Sequence, residues 1–276
     1  MLALEAQASR HQTPCGDGHI VWHAWGPEGG APLVLLHGGS GSWTHWLRAI
    51  GPLAAAGRRV WVPDLPGFGD SALPADGDDA MAMPAPLEAG LSVLLGATPI
   101  DLVGFSFGGM VGGMLAAAFP ARVKRLVLVG APALGVVSTR VALRGWRHLA
   151  TEAERDDAHR HNLRALMLHE AAVDDEALAL HRANVVRDRL PRRRLAYTRA
   201  LADALARVTC PVEAIYGEHD AIYIGHAQAL AATLASAAPR FGRLRWIAGA
   251  GHWVQHERAE AFNAALAEAL APTVAA

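Results

Sequence analysis

Ser106 stands between two glycines, and this arrangement is the strongest chemical signal in the sequence. Residues 100–103 form a short apolar run that predicts a buried strand, and Gly-Phe-Ser-Phe-Gly follows over residues 104–108. A sharp turn from a strand into a helix leaves no room for side chains beside the serine, so glycine is required there. The turn exposes the hydroxyl at a helix N-terminus, where backbone N–H groups favour negative charge. The pattern predicts a nucleophilic serine.

An aspartate and a histidine follow the last two predicted strands. Nucleophilic serine catalysis requires a base that takes the hydroxyl proton and an acid that orients the base. Asp220 and His252 are the candidates, and the order Ser106, Asp220, His252 is the order expected when the serine lies on such a turn. Glu213 and Glu218 are weaker alternatives for the acid, because one falls inside a predicted strand and the other lies earlier in the turn.

The negative charge that develops on the substrate carbonyl oxygen requires hydrogen-bond donors. The backbone N–H of Phe107, the residue after the serine, is one candidate donor. The second is expected from the glycine-rich loop at residues 37–42, where Gly39 is the candidate. The side chain of His37 is expected to hold this loop in place by a hydrogen bond.

Aromatic side chains near these groups predict an apolar substrate pocket. Phe105 and Phe107 flank the serine and are expected to form walls of the pocket. Ser40, Trp253 and Trp146 complete the predicted lining. Further candidates, which core packing explains equally well, are Trp43, His45, Trp46, Phe68 and Met110. An apolar or aromatic substrate of small or medium size is therefore expected.

Apolar runs alternate with helical patterns over most of the chain. Runs typical of strands occupy residues 19–25, 32–36, 59–62, 100–103, 125–129, 211–217 and 243–247. Helical patterns occupy residues 43–56, 85–96, 108–119, 226–236 and 257–270. The alternation predicts an α/β fold with a mostly parallel central sheet flanked by helices, in which the first of these strands is antiparallel.

The alternation stops between residues 133 and 208. This stretch is heavily charged and contains no convincing strand. Its helical patterns lie at residues 140–150, 152–169, 174–188 and 193–205. We interpret residues 133–208 as a helical cap that is inserted into a core of residues 1–132 and 209–276. The cap is expected to lie over the carboxyl ends of the strands, where open α/β sheets bind their ligands.

The composition favours a globular protein that acts on a small molecule. Of 276 residues, 52% are hydrophobic and 18% are charged, and the net charge of -1 gives no reason to expect binding to nucleic acid or an anionic membrane. Cys15 and Cys210 are far apart and form no metal or redox motif. The first ten residues lack the apolar core of a secretory signal, and no apolar run is long enough to cross a bilayer. We expect a cytoplasmic location; a homo-oligomer is compatible with the sequence.

Taken together, the motifs resemble those of the α/β-hydrolase fold family. The matching segments are His-Gly-Gly-Ser-Gly at 37–41, Asp-Leu-Pro-Gly-Phe-Gly-Asp-Ser at 64–71, Gly-Phe-Ser-Phe-Gly-Gly at 104–109, Tyr-Gly-Glu-His-Asp at 216–220 and Gly-His-Trp at 251–253. The resemblance implies a hydrolase with a Ser-His-Asp triad and a helical cap that needs neither a cofactor nor a metal ion.

The sequence is compatible with several functions. The favoured one is hydrolysis of a carboxylic ester. The segment at 251–255 also resembles carbon–carbon hydrolases that cleave ring-fission products of aromatic degradation, which are vinylogous diketo acids. Those enzymes usually carry an asparagine where this chain has Phe105, and a cap arginine that binds a carboxylate; Arg187, Arg192 and Arg199 are candidates for the latter. The third is a ligand-binding protein that keeps the fold. A cofactor-free haloperoxidase would share the triad, whereas a dehalogenase would need a carboxylate at position 106.

Overall fold

A computed structural model describes residues 1–169, 173–190 and 193–271. An eight-stranded sheet has the order β1-β2-β4-β3-β5-β6-β7-β8. β2 is antiparallel to both β1 and β4, and all other neighbours are parallel. The strands are β1 Ser9–Cys15, β2 Gly18–Trp25, β3 Ala31–Leu36, β4 Arg58–Pro63, β5 Ile100–Phe105, β6 Val123–Val129, β7 Val212–Gly217 and β8 Phe241–Ile247.

Helices connect the parallel strands and cover both faces of the sheet. The α-helices are α1 Leu2–Glu5, α2 Leu47–Ala55, α3 Pro84–Leu95, α4 Phe107–Ala118, α5 Glu152–Asn162, α6 Asp175–Val185, α7 Ala200–Leu205, α8 Ala227–Ala237, α9 Val254–Glu257 and α10 Ala259–Leu270. Short 3₁₀ turns occupy Trp43–Trp46, Ala80–Ala82 and Leu195–Tyr197, and one π turn occupies Leu163–Met167.

Two apolar layers hold the sheet between the helices. One layer joins the sheet to α3, α4, α7 and α8, and the other joins it to α2 and α10. Every residue of β5 is buried, which agrees with its mostly apolar sequence, because a central parallel strand is covered on both faces. The predicted architecture, a mostly parallel sheet flanked by helices, is confirmed.

Strand β1 is absent from the sequence-based prediction. Its sequence, Ser-Arg-His-Gln-Thr-Pro-Cys, is mostly polar, and only Thr13 and Cys15 are buried. It lies at the edge of the sheet and pairs with β2 alone. An edge strand needs little apolar surface because only part of it contacts the core, so hydrophobic periodicity does not reveal it.

The segment between β6 and β7 departs from the prediction at its start. No helix forms over residues 140–150; the chain is irregular there. The side-chain amide of Asn162 accepts a hydrogen bond from the N–H of Arg144 and donates one to its carbonyl. These two bonds satisfy backbone groups that a helix would otherwise pair, and Gly145 lowers the helical preference further.

The helices α5 and α6 of this insertion pack against each other. Thr151 and Glu154 form a capping box at the start of α5. Helix α7 was expected to belong to the cap, but it packs on α4 of the core, where Leu201 lies against Gly113. The inserted segment therefore returns to the core before residue 208. Among the described residues, no helix combines the length and the hydropathy that a membrane span requires.

Candidate active site

Ser106 lies at the turn between β5 and α4, in a backbone conformation that residues other than glycine rarely adopt. Its φ is 50° and its ψ is -118°. A Cβ atom on Gly104 would lie 2.4 Å from the carbonyl oxygen of Gly108, and one on Gly108 would lie 2.4 Å from that of His37. The two glycines are therefore required by close backbone packing, as the sequence pattern predicts. The strained turn holds the serine hydroxyl clear of the sheet.

His252 and Asp220 form a continuous series of hydrogen bonds with Ser106. Nε2 of His252 lies 2.9 Å from Oγ of Ser106, and Nδ1 lies 2.8 Å from Oδ2 of Asp220. Asp220 is 1% exposed and His252 is 2% exposed. The second carboxylate oxygen of Asp220 accepts the N–H of Ile222, so the carboxylate has a fixed orientation. With Nδ1–H donating to Asp220, Nε2 is free to accept the hydroxyl proton.

The alternative acids have other partners. Glu213 forms an ion pair with Arg245 on the neighbouring strand, and Glu218 accepts the N–H of Gly249. The structure therefore brings Asp220, and neither glutamate, to His252.

The loop after β3 passes directly beside the serine. A Cβ atom on Gly38 would lie 3.3 Å from Cβ of Ser106. His37 holds this loop as expected: its Nε2 accepts the N–H of Leu65, and its Nδ1 lies 2.7 Å from the carbonyl oxygen of Gly38. Burial lowers the pKa of His37, so the ring is neutral at pH 7, with one nitrogen accepting and the other donating.

The N–H groups of Gly39 and Phe107 have no hydrogen-bond acceptor in the described part of the chain. Phe107 is the first residue of α4, and such a residue has no acceptor within its own helix. Gly39 lies in a turn, and nothing in the described part of the chain accepts its N–H. Both groups belong to segments that touch the serine, which is where the developing oxyanion of an acyl transfer would lie.

Residues of the inserted segment also bind this loop. Oγ of Ser40 donates to Oδ2 of Asp188 over 2.5 Å, and Arg193 donates to both oxygens of Asp188 and to Ser40. Burial favours the neutral form of Asp188, but the charge of Arg193 and hydrogen bonds from Ser40, Arg193 and the N–H of Leu190 outweigh it and lower the pKa. Asp188 is therefore ionised at pH 7.

A cavity of about 640 Å³ lies above Ser106, between the core and the inserted segment. Phe105, Phe107, Ser40 and Trp146 line it, as the sequence predicts. Trp253 does not. Its ring is 1% exposed, stacks on His256 and donates its Nε1–H to the carbonyl oxygen of His45. Of the other candidates His45 lines the cavity, whereas Trp43, Trp46, Phe68 and Met110 are buried outside its lining.

Comparison with known proteins identifies the family. Residues 33–265 match the model of the alpha/beta hydrolase family. The chain belongs to that family. The mostly parallel eight-stranded sheet flanked by helices is the α/β-hydrolase fold.

Proteins similar to this hydrolase include two named as hydrolases of 2-hydroxy dienoate or muconate semialdehyde substrates and one named as an esterase. It is 32% identical over 263 residues to the 2-hydroxymuconate semialdehyde hydrolase of Pseudomonas sp. (strain CF600), covering 90% of this chain and 89% of that protein. It is 28% identical over 249 residues to the 2-hydroxy-6-oxo-6-phenylhexa-2,4-dienoate hydrolase of Burkholderia cepacia, covering 85% of each. The structure of the esterase RhEst1 from Rhodococcus sp. ECU1013 is similar with a TM-score of 0.76 and 25% identity, covering 94% of this hydrolase and 98% of that chain.

Two cap residues that contact the site of this hydrolase, Asp188 and Arg193, were missed by the sequence analysis. Nothing in the sequence separates Arg193 from the neighbouring arginines, because its role depends on how the cap folds back. Of the three arginines proposed earlier, Arg187 pairs with Asp70 and Arg199 is exposed and pairs with Asp203, and neither lines the cavity. Arg192 lies outside the described residues.

Proposed function

We propose that this hydrolase cleaves small or medium apolar or aromatic carboxylic esters through an acyl-enzyme on Ser106. The observation that carries the proposal is the series of hydrogen bonds from Ser106 through His252 to Asp220 beneath the cavity. Oγ of Ser106 attacks the carbonyl carbon while Nε2 of His252 takes its proton. The imidazolium then protonates the leaving alkoxide. Water, activated by the same nitrogen, releases the acid and restores the serine.

The N–H groups of Gly39 and Phe107 are proposed to stabilise the tetrahedral intermediates. Gly39 lies in a loop that His37 and Ser40 hold by hydrogen bonds, and Phe107 begins α4, so both donors belong to ordered backbone before the negative charge appears. One such donor contributes on the order of 3 kcal/mol to transition-state stabilisation. The positive end of the α4 dipole acts in the same direction.

The lining of the cavity supports an apolar substrate. Phe105 and Phe107 flank the nucleophile, and Leu166, Met167 and Trp146 come from the inserted segment. The volume of about 640 Å³ lies within the range of sites that hold small organic ligands.

Carbon–carbon hydrolysis of vinylogous diketo acids is the second candidate, and the names of the two curated relatives favour it. One feature of the site favours the ester instead: Phe105 replaces the polar side chain expected before the nucleophile in such enzymes. Among the arginines of the lining, Arg193 already has the carboxylate of Asp188 as its partner, whereas Arg144 and Arg147 form no ion pair with the described residues. A ligand-binding protein would not require the hydrogen-bonded series, so that alternative receives the least support.

The test is to incubate the protein with a fluorophosphonate and to locate the adduct by mass spectrometry of peptides. We expect an adduct on Ser106, turnover of 4-nitrophenyl esters, and loss of both in Ser106→Ala. Ser236→Ala, which removes an exposed serine of α8, is the matched control and should behave as the native protein. An adduct together with cleavage of vinylogous diketo acids but not of esters would move the proposal to the carbon–carbon bond. Undiminished ester turnover in Ser106→Ala would refute both.

A further inference from the structure

Two histidines that the proposed mechanism does not use face the cavity. His45 comes from the 3₁₀ turn at Trp43–Trp46 in the core, and His181 comes from α6 in the inserted segment. Both line the same cavity as Ser106, and their imidazoles are close enough to interact electrostatically. They lie on opposite sides of the boundary between core and cap.

The proton of His45 lies on Nε2. Its Nδ1 accepts the N–H of Gly38 over 3.2 Å, so Nδ1 carries a lone pair and Nε2 must carry the hydrogen of the neutral ring. Burial and the neighbouring imidazoles hold the pKa of His45 well below its usual range, so the ring stays neutral. The rings of Phe105 and Trp253 pack against it. In the described part of the chain, no acceptor takes the Nε2 proton, and Nε2 is not shut off from the cavity.

His181 also holds an unused donor. Neither ring nitrogen has a hydrogen-bond partner among the residues that the structure describes, and Nε2 is sealed off from solvent. An unpaired group at the sealed Nε2 costs free energy whether it is a donor or an acceptor. In the tautomer with the proton on Nδ1, the donor lies on the nitrogen that is not sealed, where a ligand oxygen can reach it. Burial lowers the pKa of His181 to about 4, and His159 packs edge-on against the ring.

Several other polar side chains of the lining already have partners within the protein. Asn162 uses its amide on the backbone of Arg144, and Ser40, Asp188 and Arg193 bind one another. A donor that faces an apolar cavity without a partner gains free energy when a ligand oxygen supplies the acceptor. Two such donors in one cavity therefore favour a ligand with a matching oxygen.

We propose that His45 and His181 form a polar subsite that binds a carbonyl or hydroxyl oxygen of the substrate, separate from the carbonyl that Ser106 attacks. The donors are uncharged, so the neutral hydrogen bonds that they offer suit an uncharged oxygen. The inference rests on the proposed function only in taking the cavity as the substrate site. It predicts that esters with plain alkyl chains bind more weakly than esters of the same length whose chains carry an additional carbonyl or hydroxyl oxygen.

The experiment measures binding to Ser106→Ala, which cannot complete turnover, by calorimetry. The ligand pairs are 4-nitrophenyl pentanoate against 4-nitrophenyl 4-oxopentanoate, and pentyl acetate against 4-oxopentyl acetate. They place the additional oxygen on the acyl side and on the alcohol side respectively. We expect the oxo ester of one pair to bind about five- to tenfold more tightly, the effect of one or two neutral hydrogen bonds.

Variants of His181 decide whether the subsite causes this preference. In the Ser106→Ala background, His181→Phe should abolish the preference, whereas His181→Gln, which keeps a donor, should retain most of it. His159→Phe is the matched control, because His159 touches His181 but does not line the cavity. His45→Leu should reduce the preference and His45→Gln should not; should His45→Leu fail to fold, the His181 variants still decide.

The two proposals fail in different ways. Equal binding of both members of each pair, or a preference that survives His181→Phe, would overturn the subsite and leave ester hydrolysis intact. A preference that depends on His181 without turnover of any ester by the native protein would support the subsite and reject the ester as the substrate.

Discussion

The hydroxyl of Ser40 lies 2.5 Å from Oδ2 of Asp188, and this hydrogen bond joins the loop beside the nucleophile to the cap. Ser40 has a φ of 50°, a conformation that costs a non-glycine residue free energy. Arg193 binds both partners and lies over the ring of Phe107. The turn that carries Gly39 is therefore stabilised by cap residues, so the position of a proposed oxyanion donor depends on how the cap is seated.

Asp188→Asn tests this dependence. The substitution removes the charge that holds Arg193 and weakens the bond to Ser40, so Gly39 should lose its fixed position. We expect kcat for an ester to fall about 10- to 100-fold, the range for a loss of 1.5–3 kcal/mol, with KM changed much less. Asp203→Asn removes an exposed carboxylate of α7 and is the control. An unchanged kcat in Asp188→Asn would show that the turn of Gly39 and Ser40 keeps its position without Asp188.

Asp220→Asn tests which acid orients the base. The amide would favour the wrong tautomer of His252, and by analogy with the known serine triads kcat should fall by about 10⁴-fold. Glu218→Gln is the control, because the carboxylate of Glu218 lies in the same turn but accepts the N–H of Gly249 and does not contact His252. This substitution should leave kcat within about threefold of the native value. Comparable losses in the two variants, measured by ester turnover, would mean that Asp220 has no special role.

The sequence predicted this constellation because each member follows a segment that reads as a strand and because the three occur in the expected order. Ser106, Asp220 and His252 occupy the carboxyl ends of β5, β7 and β8, and parallel strands bring those ends together. The glycines at positions 104 and 108 predicted the strained turn at Ser106. These features are local in sequence, and hydrophobic periodicity together with backbone sterics is enough to recover them.

The cap was beyond such reasoning because long-range contacts determine it. Residues 140–150 have a helical pattern, yet Asn162 pairs with their backbone and the chain stays irregular. Trp253 was expected in the pocket because it follows His252, but its indole turns inward to His45. Asp188 and Arg193 became recognisable only when the cap folded back onto Ser40.

Gly108→Ala tests the close packing behind the nucleophile. The added methyl would lie 2.4 Å from the carbonyl oxygen of His37, a backbone atom that cannot move without displacing the loop. We expect a loss of stability of about 2 kcal/mol or more and loss of ester turnover. Gly51→Ala is the matched control. Gly51 lies in α2 with open space around it, so alanine there should stabilise the protein by about 0.5–1 kcal/mol, measured by urea unfolding. Equal effects in the two variants would contradict the packing argument.

The stability of the protein should fall as the pH decreases from about 6.5 towards 4. Burial lowers the pKa of His181 and of His256 to about 4, and it also lowers the pKa of His45. In this pH range the unfolded chain takes up protons at these histidines while the folded chain does not, so protonation favours unfolding. This loss of stability is greatest at about pH 4 and disappears above about pH 6.5, the pKa of histidine in the unfolded chain.

His181→Phe measures one share of this effect. The free energy of unfolding in urea should differ between pH 7 and pH 5 by less in the variant than in the native protein, by on the order of 1–2 kcal/mol. His226→Phe alters an exposed histidine and should leave the difference unchanged. The same pH dependence in His181→Phe and the native protein would mean that His181 does not resist protonation.

Asn184→Leu tests a buried polar contact between cap and core. Asn184 is 1% exposed; its Oδ1 accepts the hydroxyl of Ser42 over 2.7 Å, and its Nδ2 donates to Oγ1 of Thr44 over 3.0 Å. Leucine would leave the Ser42 hydroxyl buried without its acceptor, so we expect a loss of about 1–3 kcal/mol in the free energy of unfolding.

A double-mutant cycle separates this contact from the cavity or strain that leucine introduces. Thr44→Val removes the hydroxyl that receives the Nδ2–H of Asn184 while keeping the shape of the side chain. If the two side chains interact as described, Asn184→Leu should cost less in the Thr44→Val background than in the native protein, with a coupling of about 0.5–3 kcal/mol. Because His45 directly follows Thr44, a displaced turn should also weaken ligand binding in the cavity. Strict additivity of the two substitutions would mean that the loss comes from packing, and that this contact does not hold the cap on the core.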